Sequence, residues 1–212
     1  MRVRTEARRQ AIIEAAARLF EEVGYEAASM NELAKRLGGS KATLYGYFAS
    51  KEELFAAVVQ TDATAYLADA TARLLDALAG PFEVEALLMD FGDRALQVLA
   101  NDRRAIAVYR MIVAEASRSD IGQLFQEAGP RQAVEALARV MAVGVAQGRL
   151  RDIEPLVAAN QFLALLTAEV SSRLFERESA PIAPAEVRRK VARAVETFLR
   201  GTVRQPAAAV VG

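Results

Sequence analysis

From residue 5 to residue 23 the apolar side chains Ala11, Ile12, Ala15, Ala16, Leu19, Phe20 and Val23 recur every three or four positions, and Gly24 closes the run. That spacing predicts a helix with one buried face and a glycine stop. Leu33, Ala34 and Leu37 supply the apolar side of a second, shorter helix that starts at Ser29 and ends at Gly38-Gly39. Ser40 is placed to cap a third helix running through Tyr47, with Leu44 and Phe48 on its inner side. Ser29 stands three residues before Glu32, and Ser50 three before Glu53. At this spacing a serine oxygen caps a helix amide while the glutamate reaches back. Phe20 and Val23 are expected to pack with Met30, Leu33, Leu44 and Phe48 into a small three-helix core.

After Ser50 one long helix is predicted as far as Gly80-Pro81, carrying Leu54, Phe55, Val58, Tyr66, Leu67, Leu74 and Leu78. Further helices are predicted over 82–100, 102–117, 131–148, 155–178 and 184–200, separated by Asn101-Asp102, Ser119-Asp120, Gly129-Pro130, Gly148 and Ser179-Ala180-Pro181. No strand-like alternation occurs. The fold class is therefore all-α: a three-helix helix-turn-helix domain over 1–50, a larger helical domain over 51–204, and a tail over 205–212 without a periodic face, expected to be disordered.

Composition narrows the chemistry. In 212 residues there is no cysteine and no histidine, which removes disulfides, thiol chemistry, the usual zinc sites and imidazole-based catalysis. No cofactor and no metal is expected, and the chain does not read as an enzyme. No apolar run suits a bilayer span and the first ten residues lack the apolar core of a secretion signal, so no membrane partner and a cytoplasmic location are expected. Lysine plus arginine balance aspartate plus glutamate at 27 each, but residues 1–51 hold nine of the basic and six of the acidic residues. The N-terminal quarter is net positive and the remainder net negative. Arg2, Arg4, Arg8 and Arg9 form a basic arm able to touch phosphates, although a short basic run is equally a solvated chain start.

The segment Ser29 to Leu54 thus packs three helix starts and two tight turns into a short basic stretch, as a DNA-reading helix-turn-helix requires. Its last short helix carries Lys41, Thr43, Tyr45 and Tyr47, whose donors can reach phosphates or base edges. Tyr45 could instead pack its ring inward beside Leu44 and Phe48. Lys51, a cation in a helix's first turn, opposes the helix dipole and so suggests a nearby anion.

These residues resemble a known family. Ser29, Leu33, Ala34, Leu37, Gly38, Ser40, Lys41, Thr43, Leu44, Tyr45, Tyr47, Phe48, Ser50, Lys51, Glu52 and Leu54, preceded by Ala15, Ala16, Leu19, Phe20, Gly24 and Tyr25, are similar to the N-terminal signature of TetR-family transcriptional regulators. The stretch from Asp102 to Arg131 resembles the ligand-binding domain of AefR- and AcrR-type members. The resemblance implies a homodimeric, ligand-responsive repressor of an inverted-repeat, double-stranded DNA operator. It places Ser29, Tyr47 and Lys51 on phosphates, and Ser40, Lys41, Ala42, Thr43 and Tyr45 on base edges or nearby phosphates. Gly39 and Gly46 depart from the larger residues usual at those positions.

A small-molecule effector, apolar or amphipathic, is expected in the helical body. Tyr66, Met89, Arg94, Tyr109, Glu115, Phe125, Phe162 and Glu169 are its candidate contacts, with ordinary core packing as the competing reading. Glu115 could equally be a buried group paired with Arg104 or Arg110. Dimerisation is expected through 155–178 and 184–200, whose Phe162, Leu166, Val170, Leu174, Val187, Val191, Val195 and Phe198 could meet a second copy or form an intramolecular core. The alternatives are a helical small-molecule-binding protein or enzyme without DNA function, and a DNA-associated protein without an effector.

Overall fold

The computed structural model describes residues 5–117, 119–176 and 179–203. Its helices are α1 (Glu6–Val23), α2 (Met30–Arg36), α3 (Lys41–Tyr47), α4 (Lys51–Val59), α5 (Ala65–Ala77), α6 (Val84–Asn101), α7 (Arg103–Glu115), α8 (Ile121–Glu127), α9 (Pro130–Ala146), α10 (Pro155–Ala168) and α11 (Pro184–Thr202). A π-helical turn, Gln60–Thr64, joins α4 to α5, and a 3-10 turn, Ser171–Leu174, comes after α10. Among the described residues the sole β-type pairing is one antiparallel bridge, Leu150 with Val203.

The chain divides into two compact units. The first is Met1–Ala65 with Asp102–Arg131, and the second is Tyr66–Asn101 with Gln132–Gly212. These packing units cut the chain differently from the expected division at residue 50, because α4, α7 and α8 belong with the first three helices.

In the first unit Ile12, Ile13, Ala16, Leu19 and Phe20 bury one face of α1 against α2 and α4. Phe20, Tyr25 and Phe55 form a ring cluster with centroids 5.0–5.8 Å apart, a separation at which tilted and edge-on rings attract. Met30, Leu33, Leu44 and Phe48 are buried as expected, but Val23 is 45% exposed. It stands at the last position of α1, where the chain turns away at Gly24 and nothing covers the outer side. In the π-turn the Thr64 hydroxyl donates to Ala128 O at 2.8 Å, which ties this turn to the end of α8.

In the second unit α6, α10 and α11 pack as one layer. Gly92 lets them approach: a Cβ there would lie 2.6 Å from Val191 Cγ1 and 3.1 Å from Leu166 Cδ1. Phe162 is fully buried between Phe91 and Phe198, with ring centroids 6.5 and 5.5 Å away. Asn101 exchanges two hydrogen bonds with the Ile182 backbone, at 2.9 and 2.8 Å, and so fixes the strap before α11.

Several boundaries depart from the periodicity. The expected helix from 50 to 79 is interrupted by the π-turn and ends at Ala77, while the one expected over 155–178 stops at Ala168. There Glu169 turns out of the helix to meet Lys190 and Arg193 on α11. Helix α8 escapes the periodicity altogether, because seven residues are too few to display a period. The tail expected over 205–212 lies outside the described residues.

Candidate nucleic-acid interface

Each short helix of the head begins on a serine. Ser29 Oγ accepts from Glu32 N, Ser40 Oγ from Thr43 N and Ser50 Oγ from Glu53 N, all at 3.1 Å. At the third helix start the Glu53 carboxylate reaches back past the Ser50 cap and accepts from Ala49 N at 2.6 Å, a variant of the capping box. At the first, the Glu32 carboxylate instead holds Arg36, which also meets Glu22 at 2.6 Å; these two hydrogen bonds raise the Arg36 guanidinium above its ordinary value.

The turn between α2 and α3 is set by backbone geometry. Gly38 has φ +60, its N–H donates to Lys35 O, and Gly39 N–H donates to Ala34 O, both at 3.1 Å. These two bonds are the Schellman pair, which satisfies the last carbonyls of a helix through a left-handed residue that glycine adopts without a Cβ penalty. Gly39, where a larger residue is usual, faces Arg8: a Cβ there would lie 3.3 Å from Arg8 Nη2, which donates to Leu37 O at 3.2 Å. The small side chain lets the α1 guanidinium close over the turn.

Helix α3 then presents its polar side. Lys41, Ala42 and Tyr45 are exposed and Thr43 and Tyr47 half-buried, while Leu44 and Phe48 anchor the helix inward. Tyr45 does not pack into the core; its ring is 42% exposed with the Lys41 ammonium 5.6 Å from its centroid. The Ser40 and Thr43 hydroxyls lie 2.9 Å apart. One proton serves that bond, so the second is left for an outside acceptor. The Tyr47 hydroxyl accepts from Thr5 N at 3.2 Å and keeps its own proton to donate. Thr5, Arg8, Gly39, Ser40, Thr43 and Tyr47 line one groove. Thr5 is an addition to the surface that the sequence suggests. Its signal there is its position as the cap of α1, where its side chain accepts from Arg8 N. Of the basic arm, Arg9 lies 5.1 Å over the Phe48 ring, and Arg2 and Arg4 fall outside the described residues.

Lys51 and Glu115 sit elsewhere than expected. The Lys51 ammonium donates to the carbonyls of Tyr25, Glu26 and Ala28 at 3.0, 3.4 and 3.4 Å and lies 4.2 Å over the Tyr25 ring. Its three protons are directed at the α1–α2 turn. Glu115 accepts from Tyr25 N at 2.7 Å and Glu26 N at 3.0 Å, so it holds the same turn from α7, while Arg104 pairs with Asp62. Burial, and then Glu52 beside it, push the Tyr25 phenol well above its ordinary value.

The other candidates are divided between the two units. Tyr109 and Phe125 pack edge-on, 5.0 Å apart, in the first unit. In the second unit Phe162 is core, and Tyr66 and Met89 lie against that core. Arg94 pairs with Asp90 and Asp69, and Glu169 with Lys190 and Arg193. Among the described residues no cluster of three or more acidic, histidine or cysteine side chains could hold a metal ion, and no helix is long and apolar enough to cross a membrane.

Two short capped helices joined by a glycine turn and braced on α1 define a helix-turn-helix protein. Residues 12–58 match the family described as bacterial regulatory proteins, tetR family, and residues 86–201 match the AefR-like transcriptional repressor C-terminal domain. The chain belongs to the TetR family of transcriptional regulators, which is non-enzymatic and whose members bind DNA operators and small-molecule effectors as dimers.

Among curated relatives, the repressor AcnR of Corynebacterium diphtheriae is 43% identical over 56 residues, covering 26% of this chain and 30% of that protein. The activator FasR of Mycolicibacterium smegmatis is 49% identical over 53 residues, covering 25% and 24%. The chain thus spans less than a third of the length of either. Among solved structures, a TetR-family regulator from Mesorhizobium loti MAFF303099 superposes with a TM-score of 0.74 at 27% identity, covering 96% of this chain and all of that one. The flavonoid-responsive regulator FrrA superposes at 0.69 and 29% identity, covering 95% and 100%.

Proposed function

We propose that the protein is a cytoplasmic, homodimeric repressor that inserts α3 into the major groove of an inverted-repeat operator and is released by a small apolar or amphipathic effector. The carrying observation is the α3 surface: Lys41, Ala42, Thr43 and Tyr45 project from a helix whose start, turn and inner face are all fixed, beside hydroxyls with protons to donate. In such an interface, ammonium and hydroxyl groups on phosphates set register, and donors on base edges set sequence. Thr43 and Lys41 are the base-reading candidates, and Ser29, Ser40 and Tyr47 the phosphate contacts. The Lys51 ammonium, already spread over three carbonyls, positions the turn before α2.

For the dimer we assign α10 and α11, with a refinement. Phe162, Leu166, Val191, Val195 and Phe198 are buried in the second unit's own core, so they are not the contact surface. The exposed side of α10 instead offers Leu156, Val157, Ala164 and Ala168, interrupted by the polar Asn160 and Gln161. Two successive major grooves lie about 34 Å apart, and an effector would act by changing how well the paired heads meet that spacing. One solved relative is flavonoid-responsive, and a responsive body suits this chain in the same way. The AefR-like C-terminal match supports repression.

The test is a gel-shift titration on duplexes from the protein's own promoter region. Tyr47→Phe should weaken binding to specific and random DNA alike and leave the salt slope unchanged, because the lost phosphate contact is uncharged. Thr43→Val should weaken the specific duplex alone. A protein indifferent to every duplex at low ionic strength would overturn the reading.

A further inference from the structure

A cavity of about 130 Å³ lies within the first unit between α1, the π-turn and α7, and it shares no lining residue with the groove beside α3. Val58, Val108 and Met111 give it an apolar floor, while Glu14, Glu21, Asp62, Arg18 and Arg104 supply charge. Asp62 is the unusual member. Its side chain is only 8% exposed, yet the nearest cation, Arg104 Nη1, is 3.9 Å away, beyond hydrogen-bond reach, on a side chain that is itself 70% exposed. No hydrogen bond reaches the Asp62 carboxylate among the described residues. A carboxylate largely covered by protein, with no donor beyond what the cavity can supply, favours a cationic donor there. Burial raises its carboxyl above the ordinary range, Arg104 pulls it down, and Asp102 and Glu14 push it up.

The backbone keeps Asp62 there. Two residues on, the Thr64 hydroxyl is satisfied by Val59 O and Ala128 O, so the π-turn is pinned on its far side. A π-turn carries one residue more than an uninterrupted helix, which rotates the residues after it by about 100°.

We propose that this cavity binds a small organic monocation bearing N–H donors on an apolar body, with the charged end on the Asp62 carboxylate in place of Arg104. The volume suits roughly ten non-hydrogen atoms, taking about 10–15 Å³ for each water-sized position. An anion suits the site poorly, since the lining holds three carboxylates, Glu14, Glu21 and Asp62, against Arg18 and Arg104, and Arg104 is 70% exposed and able to swing into water. A bare metal ion lacks its ligands: Glu14, Glu21 and Asp62 line the cavity, but among the described residues no three such side chains come together as a metal ion requires.

Benzamidinium, a planar amidinium on a ring of that size, is the probe, and benzoate is its anionic counterpart. Calorimetric titration of the full chain without DNA should show saturable benzamidinium binding and none with benzoate. Asp62→Asn should weaken benzamidinium about tenfold or more, the value of losing a charge-assisted pair of hydrogen bonds. Arg104→Ala should leave binding equal or tighter, because it removes the competing cation. Equal binding by Asp62→Asn, a preference for benzoate, or no saturation up to about 10 mM would each overturn the proposal. Should Asp62→Asn fail to fold, Arg104→Ala decides, and weaker binding there counts against the site. Because no DNA enters the measurement, its failure leaves the operator-binding reading untouched.

Discussion

In α2 and α3, seven residues each, the helix ends are closed by Ser29, Ser40 and the Gly38–Gly39 turn. In α6 and α11, 18 and 19 residues long, stability comes from Phe91, Leu96, Val191 and Phe198 buried across the layer. Isolated helices shorter than about 12 residues are marginal in water, so the reading head needs its caps and its brace on α1. The longer helices of the second unit need only matching apolar faces. One region is held by local hydrogen bonds and special backbone angles, the other by volume. Mutations should separate them.

The largest effect is expected in the second unit. Phe162→Ala removes a fully buried ring from between Phe91 and Phe198 and should cost about 3–5 kcal/mol in denaturant unfolding. A loss near 1 kcal/mol would mean that the layer relaxes around the gap, and the contrast between the regions would weaken.

Next comes a backbone position in the first unit. Gly24 has φ +79, and a Cβ there would lie 2.4 Å from Glu115 Oε1. Gly24→Ala therefore combines left-handed strain with displacement of the carboxylate that accepts from Tyr25 and Glu26. The expected cost is about 2 kcal/mol, and Glu115→Gln in the same background should recover little of it. Smaller again is Ser40→Ala, which loses one cap for about 1 kcal/mol. It should also weaken DNA binding more than its stability loss explains, because α3 frays where it must reach the duplex. Equal losses in folding and binding would show that the cap is structural alone.

The smallest effect concerns charge at the end of α10. Hydrogen bonds from Arg193 and Lys190 lower the Glu169 carboxyl to about 2 from its usual value near 4.5. A carboxyl depressed on folding contributes stability that is present above its unfolded value and lost as pH falls through the folded one. The window is therefore from about 4.5 down to 2. Glu169 is 40% exposed, so solvent screening holds the contribution under about 1 kcal/mol. Glu169→Gln should lower the melting temperature slightly at neutral pH, have no effect below about pH 2, and so flatten the acid limb between 4.5 and 2.

The head is readable residue by residue. Ser29, Ser40 and Ser50 cap where their spacing to positions 32, 43 and 53 places them, since a cap is a bond between near neighbours in the chain. The body is readable only as helix. Nothing in the apolar period of Phe162 or Val191 distinguishes a face turned to a second copy from one turned to the chain's own α6, because both demand the same residues. Likewise Glu115, among Ile112, Val113 and Ala116, gives no sign of the two amides about 90 residues upstream that it accepts from. Lys51 reads as an anion contact because a cation opposes a helix N-terminus. The structure supplies a different neutralising environment, three carbonyls and a ring, through the same electrostatics.

By itself, the sequence determined the all-helical class, the serine-capped reading head and its glycine turn, because periodicity, caps and left-handed glycines act over a few residues. Only the tertiary structure decided that α7 and α8 pack with the head, that α10 and α11 turn their aromatic side chains inward, and that Asp62 is largely covered on the wall of a cavity. Those outcomes depend on contacts between segments tens of residues apart, where burial and the final partner of each charge are set by which surfaces meet.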